Sequence, residues 1–253
     1  MMDQMFNSMS SLSDFDLAKI FKMNDYSAQT QRHLSQVYLS LMLCVLAAAV
    51  GAATSMYFRV VSNMNLLGFL GGMGMLMWIN SDSRKDQVQR RMGMLCGFGF
   101  FQGLSLGPLL SLAAFIDPAL IVTALLGTVA VFACFTAAAV VAKRRAYLYL
   151  GGILGSAVSL MFVLSLMNMF FRSVNFYMVE LYGGLLIFSG YVVFDTQLIL
   201  EKAEAGSLDV VGHAATLFVD FVAIFVRILI ILLRNSDKKS NNKSRKDRNR
   251  SEF

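Results

Sequence analysis

Long apolar runs separated by short polar connections dominate the chain from residue 36 to residue 233. Most runs are close to the ~20 residues that an α-helix needs to cross a ~30 Å hydrocarbon core. The second run is short and rich in Gly and Met, so we expect its ends to shift by several residues. The pattern predicts seven membrane segments, at about 36–58, 65–79, 92–115, 119–142, 146–170, 180–200 and 213–233.

The composition agrees with this pattern, because 57% of the residues are hydrophobic and only 15% are charged. Such a chain is too apolar for an ordinary soluble domain. We therefore predict an all-α integral membrane protein, a bundle of six or seven transmembrane helices. Residues 1–33 are predicted to be a soluble N-terminal tail, 34–233 the membrane domain and 234–253 a basic C-terminal tail.

Lys and Arg concentrate in alternate connections, which places the N-terminus, the 80–91 loop and the 143–145 loop in the cytosol. The basic tail should also be cytosolic, yet seven full crossings would put it on the opposite side. Two topologies stay open: six crossings with a re-entrant or buried last segment and both termini cytosolic, which we favour, or seven crossings against the charge rule. The net charge of +6 lies in loops and tail, so no nucleic-acid partner is predicted.

Glycines recur at four-residue spacing, which lets helix backbones approach closely in lipid. We expect a tight bundle, although a homo-oligomer built on the same stripes stays open. The stripes are Gly68 with Gly72, Gly93 with Gly97, Gly99 with Gly103 and Gly107, and Gly151 with Gly155.

Other local signals are structural. Cys44, Cys96 and Cys134 lie in different apolar runs without CxxC spacing, so we predict core packing and neither a disulfide framework nor a zinc site. Asp117 followed by Pro118 has the form of a helix cap. No HExxH, GxSxG, P-loop or GxGxxG motif occurs in usable form, so neither catalysis nor a cofactor is predicted.

Asp195 and Asp220 are the exceptions to the apolar pattern. A carboxylate in a spanning helix costs ~2.5–3.5 kcal/mol on insertion scales, so it usually faces the bundle interior or water. If the two meet, both cannot easily ionise, and the pair can share a proton or bind a cation. Arg227 is a candidate charge partner, although it lies two helical turns, roughly 10.5 Å, beyond Asp220. The alternative is that Asp195 is exposed at a membrane end while Asp220 pairs with an arginine.

Three further polar residues are weaker candidates. Glu180 begins the sixth segment, where it either favours the helix N-terminus or lines a mouth. Gln102 lies inside the glycine-striped third segment and could be a buried hydrogen-bonding group. His213 starts the last segment, and we expect an interfacial or capping role rather than metal ligation, since the other histidine, His33, is placed in the soluble tail.

The stretch FDTQLILEKAEAGSLDVVGHAATLFVDFVAIFVRILIILLRN at 194–235 resembles the signature region of the transmembrane Bax inhibitor family, in particular its Bax inhibitor-1 branch. The resemblance extends over nearly the whole membrane part, through HLSQVYLSLMLC at 33–44, LSLGPLLSLA at 104–113 and AKRRAYLYLGG at 142–152. It implies an endoplasmic reticulum protein that suppresses programmed cell death and lets Ca²⁺, as the permeant ion, leak into the cytosol in a pH-sensitive way.

The resemblance also implies a central last helix surrounded by six others, with Asp195 and Asp220 as the pH-sensing gate. Bacterial members carry an arginine in the second segment that latches one aspartate, whereas no basic residue occurs between Leu66 and Ile79 here. Arg227 is one possible replacement.

The basic tail resembles tails linked in this family to pH response and, in plants, to calmodulin; a positive-inside anchor is the alternative. A second hypothesis is therefore a membrane scaffold that regulates cell-death and stress signalling through protein partners without transport of its own. An intramembrane hydrolase is disfavoured, because no nucleophile and base pair is found.

Overall fold

The computed structural model describes residues 26–58, 64–81, 88–142, 147–171 and 174–251, and in these ranges the regular structure is entirely α-helical, as predicted. Six of the seven described helices, all except α2, are long and apolar enough to cross a membrane, so the chain is a multi-pass membrane protein. The helices are α1 Ala28–Phe58, α2 Met64–Ser81, α3 Val88–Ile116, α4 Ala119–Val141, α5 Leu150–Phe171, α6 Val174–Glu204 and α7 Val210–Ser251.

The last helix, α7, lies at the centre of the bundle. It packs against α1, α2, α3, α4 and α6, whereas α5 packs mainly against α6. Its inward face supplies large, fully buried side chains, among them Leu217, Phe218, Ile224 and Leu229. The helix is unbroken over its 42 residues, so the apolar segment and the basic tail up to Ser251 form one helix.

Helix α1 begins at Ala28, before the predicted membrane boundary at residue 34. The prediction that placed His33 in a soluble tail is wrong, because His33 lies on α1 and is buried. The first turns of α1 are polar in sequence, so the hydrophobic pattern did not predict them as part of a membrane helix. They nevertheless pack inward through Thr30 and His33.

The contact between α1 and α3 explains the longest glycine stripe. A methyl group at Gly99 or Gly103 would collide with the backbone carbonyl of Cys44 or Ala48, and one at Gly107 with the Ser55 side chain. Glycine is needed there because the two backbones touch. The stripe thus serves packing within the chain.

The other stripes are less uniform. Gly68 faces the backbone of α3, and Gly72 faces the Gln102 side chain. Gly93 and Gly155, in contrast, have no described residue within 4 Å of an added methyl group, so the predicted packing within the chain is not found at these two glycines. Spacing alone does not show which face of a helix is covered.

Two smaller predictions can be checked directly. Asp117 Oδ1 accepts a hydrogen bond from the Ala119 N–H at 2.9 Å, which confirms the cap at the start of α4. The cysteines are free thiols, but only Cys44 is buried; Cys96 is half-buried and Cys134 is exposed. Core packing is therefore wrong for Cys134, whose apolar run surrounds the whole of α4 and does not distinguish an inner from an outer face.

Candidate functional site

Asp195 and Asp220 meet between α6 and α7, and their carboxyl groups are hydrogen-bonded to each other. They are 7% and 4% exposed, which does not fit the alternative of an exposed Asp195. Asp195 lies nine residues before the end of α6, and Asp220 ten residues after the start of α7. Because each residue rises 1.5 Å, both carboxyls lie about 14 Å from the connecting turn, inside the apolar helices that are long enough to cross a membrane.

The hydrogen bond limits the protonation states of the pair. An ionised carboxylate can only accept a hydrogen bond, so a bond between two carboxyl groups requires that at least one of them carries a proton. Asp220 Oδ2 is fully buried, and no hydrogen-bond donor among the described residues reaches it. The pair therefore presents an unsatisfied acceptor that suits a proton or a cation.

A cavity of ≈ 320 Å³ opens beside the two aspartates. Small residues of α7 make the space, because Gly212, Ala215 and Thr216 line it. Four helices contribute to its wall, whose remaining residues are Leu76 and Asn80 of α2, Val158 of α5, Phe188 and Tyr191 of α6, and Val219 of α7. The carboxyl pair thus lies at the edge of a space large enough for a hydrated ion.

Within the described residues, no group of three or more His, Cys, Asp or Glu side chains is arranged to hold a metal ion. The two carboxyls form a pair contact and not a coordination cage. Protein sites that hold Ca²⁺ firmly supply six to eight oxygen ligands. The geometry at Asp195 and Asp220 is thus suited to transient contact with a cation.

Arg227, the candidate charge partner of the aspartates, is directed elsewhere. Its guanidinium donates to the Ala223 carbonyl at 2.9 Å and lies over the Phe188 ring, 4.4 Å from the ring centre. It is seated against Gly184 and interacts electrostatically with Glu180. The charged partner of Arg227 is therefore Glu180. Glu180 lies in the second turn of α6 rather than at its start as predicted.

Comparison with known proteins shows the family of the chain. The family model described as "Inhibitor of apoptosis-promoting Bax1" matches residues 30–237. Bax inhibitor 1 of Bos taurus is 44% identical over 228 residues, covering 88% of this chain and 95% of that protein. The proteins named Bax inhibitor 1 from Homo sapiens and Oryza sativa subsp. japonica are 41% and 44% identical, covering 88% and 92% of this chain and 95% and 92% of theirs.

The chain belongs to the Bax inhibitor 1 family. It is thus a multi-pass membrane protein of a family named for the inhibition of apoptosis. The family match begins at residue 30, before the predicted membrane boundary, and includes Asp195, Asp220 and both histidines.

In this Bax inhibitor 1 relative, a buried histidine pair joins α1 to α7. His33 Nε2 lies 2.9 Å from His213 Nδ1, and the rings meet edge to face. His213 lies in the first turn of α7, and its partner is a histidine distant in sequence that the sequence pattern did not predict. The signal in the sequence was the helical spacing of His33 with Val37 and Leu41, which share its buried face.

A second cluster that sequence reasoning missed holds the start of α7. Arg91 of α3 makes a two-pronged ion pair with Asp209, at 2.7 and 3.0 Å, and also donates to the Ile79 carbonyl. Asp209 Oδ1 accepts from the Gly212 N–H at 3.0 Å and so caps α7. From the sequence, Arg91 was interpreted only as one of the positive charges that set the membrane orientation. In the structure it fixes the α6–α7 hairpin to α3.

The glutamine whose amide side chain is buried and hydrogen-bonded is Gln197 rather than Gln102. Gln197 Oε1 accepts from the Tyr147 N–H at 2.8 Å, and its Nε2 donates to the Ala139 carbonyl at 3.2 Å. Gln102 is only half-buried and packs on Gly72. Gln197 thus links α6 to the end of α4, two residues from Asp195.

Proposed function

We propose that this protein is a pH-sensitive Ca²⁺ leak pathway of the endoplasmic reticulum membrane that suppresses programmed cell death, gated by Asp195 and Asp220. The observation that supports it most is the buried carboxyl pair, hydrogen-bonded across the α6–α7 contact beside an ≈ 320 Å³ cavity. Charged groups inside a membrane are costly and commonly mark ion or proton pathways.

In the proposed gate, a proton and a Ca²⁺ ion compete for the carboxylate oxygens of Asp195 and Asp220. One shared proton holds α6 to α7, whereas full ionisation leaves two like charges in contact, which is unfavourable in a buried site. Carboxylate oxygens are the ligands that Ca²⁺ prefers. A Ca²⁺ ion entering the cavity would displace the shared proton, so protonation and ion passage are coupled.

Location and orientation belong to the same proposal. The basic connections support cytosolic termini. Candidate partners of the basic tail are cell-death regulators and calmodulin, which binds basic amphipathic helices. The continuation of α7 as one helix to Ser251 favours this second candidate function, a scaffold that acts through its tail.

The leak is tested with the full chain reconstituted in liposomes, with Ca²⁺ flux measured from pH 5 to pH 8. Wild-type flux should change with pH, and the Asp195→Asn, Asp220→Asn double variant should lose that change. Asp117→Asn is the matched control, because an amide oxygen can still accept the hydrogen bond of the α4 cap. The proposal fails if the double variant has the flux and pH profile of the wild type.

The scaffold is tested by deleting residues 234–253 and measuring cell survival and liposome flux side by side. It predicts that protection is lost while flux persists. If protection follows flux across the Asp and tail variants, the tail is not the active element.

A further inference from the structure

Helices α1 and α4 both pack against α7 but hardly against each other. Their main side-chain link among the described residues is the Tyr38 hydroxyl, which donates to Thr136 Oγ1 at 3.2 Å. Phe221 of α7 lies between them and forms the floor, with the Phe132 ring edge-on to it at 5.7 Å. An open groove therefore runs along the bundle between α1 and α4.

Two cavities make up this groove, of ≈ 250 Å³ and ≈ 630 Å³. They share Val45, Leu125 and Phe221, so they join at one level of the bundle. Nearly all lining residues are apolar; the exceptions are Tyr38 and Thr136, whose hydroxyls bond to each other. A space with such walls offers water no partners and stays dry.

The dimensions of the groove match a bilayer. Along α1 the larger cavity extends from Leu34 to Leu46 and the smaller one from Val45 to Met56. At 1.5 Å per residue these lengths are about 18 Å and about 17 Å. Together the two cavities follow α1 for about 33 Å, which is close to the thickness of a ~30 Å hydrocarbon core. Along α4 the smaller cavity extends only from Ile121 to Leu125 and the larger one from Leu125 to Val140. The groove is therefore long enough to hold acyl chains along most of the thickness of the core.

The groove is also open to the side. Met42, Leu46 and Val129 on its rim are 59%, 55% and 49% exposed. In a multi-pass membrane protein an apolar surface of this kind faces lipid. The groove is thus continuous with the lipid-facing surface, and the neighbouring molecules that can enter it are lipids.

We propose that the groove between α1 and α4 binds phospholipid acyl chains. Alanines make the room, because Ala48, Ala49, Ala52 and Ala53 line the smaller cavity and Ala133 and Ala137 the larger. The chains contact Phe221, the residue next to Asp220, so they support α7 beside its carboxyl pair. This inference rests on the groove alone and does not require an ion leak.

The test uses the full chain in phosphatidylcholine vesicles that contain a small fraction of phosphatidylcholine with a diazirine in one acyl chain. After illumination, labelled peptides are identified by mass spectrometry. Label should concentrate in 34–56 and 121–140, above that on the equally apolar outer face of α5 at Leu160 and Phe162, which are 59% and 64% exposed. Label spread in proportion to exposure would overturn the proposal.

Two filling variants sharpen the test, because each blocks one cavity. Ala49→Trp should remove label from the smaller cavity only, and Ala133→Trp from the larger only; both alanines are exposed, so the fold should tolerate the change. Leu160→Trp on α5 is the control and should leave the groove labelling unchanged. The proposal is wrong if both tryptophan variants label like the wild type, or if the groove peptides of the wild type stay unlabelled while the α5 peptides are labelled.

Discussion

The α1–α3 contact and the α6–α7 contact hold helices together by different means. At α1–α3, glycines bring backbone against backbone, with Gly99 and Gly103 directly facing carbonyl groups of α1. At α6–α7, the close contact is a pair of carboxyl groups. The first contact is made by backbone groups, whereas the second joins two side chains that can each bind a proton. The bundle thus combines a contact of backbone against backbone with a contact between two titratable groups.

The largest effect is expected from breaking the backbone contact between α1 and α3. Gly103→Ala places a methyl group against the Ala48 carbonyl, and backbone cannot move aside as a side chain can. We expect a loss of stability at or above the ~1–3 kcal/mol typical of overpacking, measured as a lower melting temperature in detergent. Gly93→Ala, which meets open space, is the control and should be neutral or stabilising. Equal melting temperatures for the two variants would contradict the assigned packing.

The second-largest effect is expected at the Arg91–Asp209 ion pair, which fixes the α6–α7 hairpin to α3. Arg91→Gln removes the ion pair with Asp209 from a largely buried site, where breaking such a pair typically costs about 3–5 kcal/mol. Because the Asp209 side chain retains some exposure, we expect about 1–3 kcal/mol. Thermal unfolding measures it, and the α6–α7 connection should become more sensitive to protease. A wild-type proteolysis pattern would argue against the anchor.

A comparable effect is expected at the aspartates themselves, and it separates hydrogen bonding from charge. Asp195→Leu should destabilise by about 1–3 kcal/mol, because Asp220 loses its only known partner in the described residues. Asp195→Asn keeps a donor for the Asp220 carboxylate and should be close to wild type in melting temperature. Identical stability of the Leu and Asn variants would show that the bond contributes nothing.

The smallest effect is expected where Arg227 sits on α6. A methyl group at Gly184 would meet the guanidinium, which can swing aside because it ends a flexible side chain. Gly184→Ala should therefore cost less than about 1 kcal/mol while weakening the Arg227 contact with Phe188. Gly183→Ala, which meets only the end of Met161, serves as the control. A large loss for Gly184→Ala alone would mean that Arg227 is fixed.

The sequence predicted these two contacts unequally well. Asp195 and Asp220 were found because a carboxylate in an apolar run has few explanations besides a buried partner. Glycine spacing predicted close packing, yet it could not distinguish Gly103, against backbone, from Gly93, beside open space. The spacing of the glycines shows where close helix packing is possible. The position of the neighbouring helix determines whether that packing occurs.

The histidine pair shows a second limit of sequence reasoning. His33 and His213 are 180 residues apart, and each has an ordinary local role that fits its polar surroundings. Arg91 and Asp209 are a second example. In the sequence both resemble ordinary loop charges, and they form an ion pair because the α6–α7 hairpin packs against α3. Polar pairs formed by distant residues are determined by tertiary packing, which the hydrophobic pattern does not encode.

The most direct test of the gate is Ca²⁺ flux against pH for the single variant Asp195→Asn in liposomes. The amide keeps the contact with Asp220 but cannot supply the shared proton, so the structure and the titration are separated. Flux that no longer changes between pH 5 and pH 8, in a variant with wild-type melting temperature, is the predicted result. A wild-type pH profile in that variant would contradict the role of the shared proton.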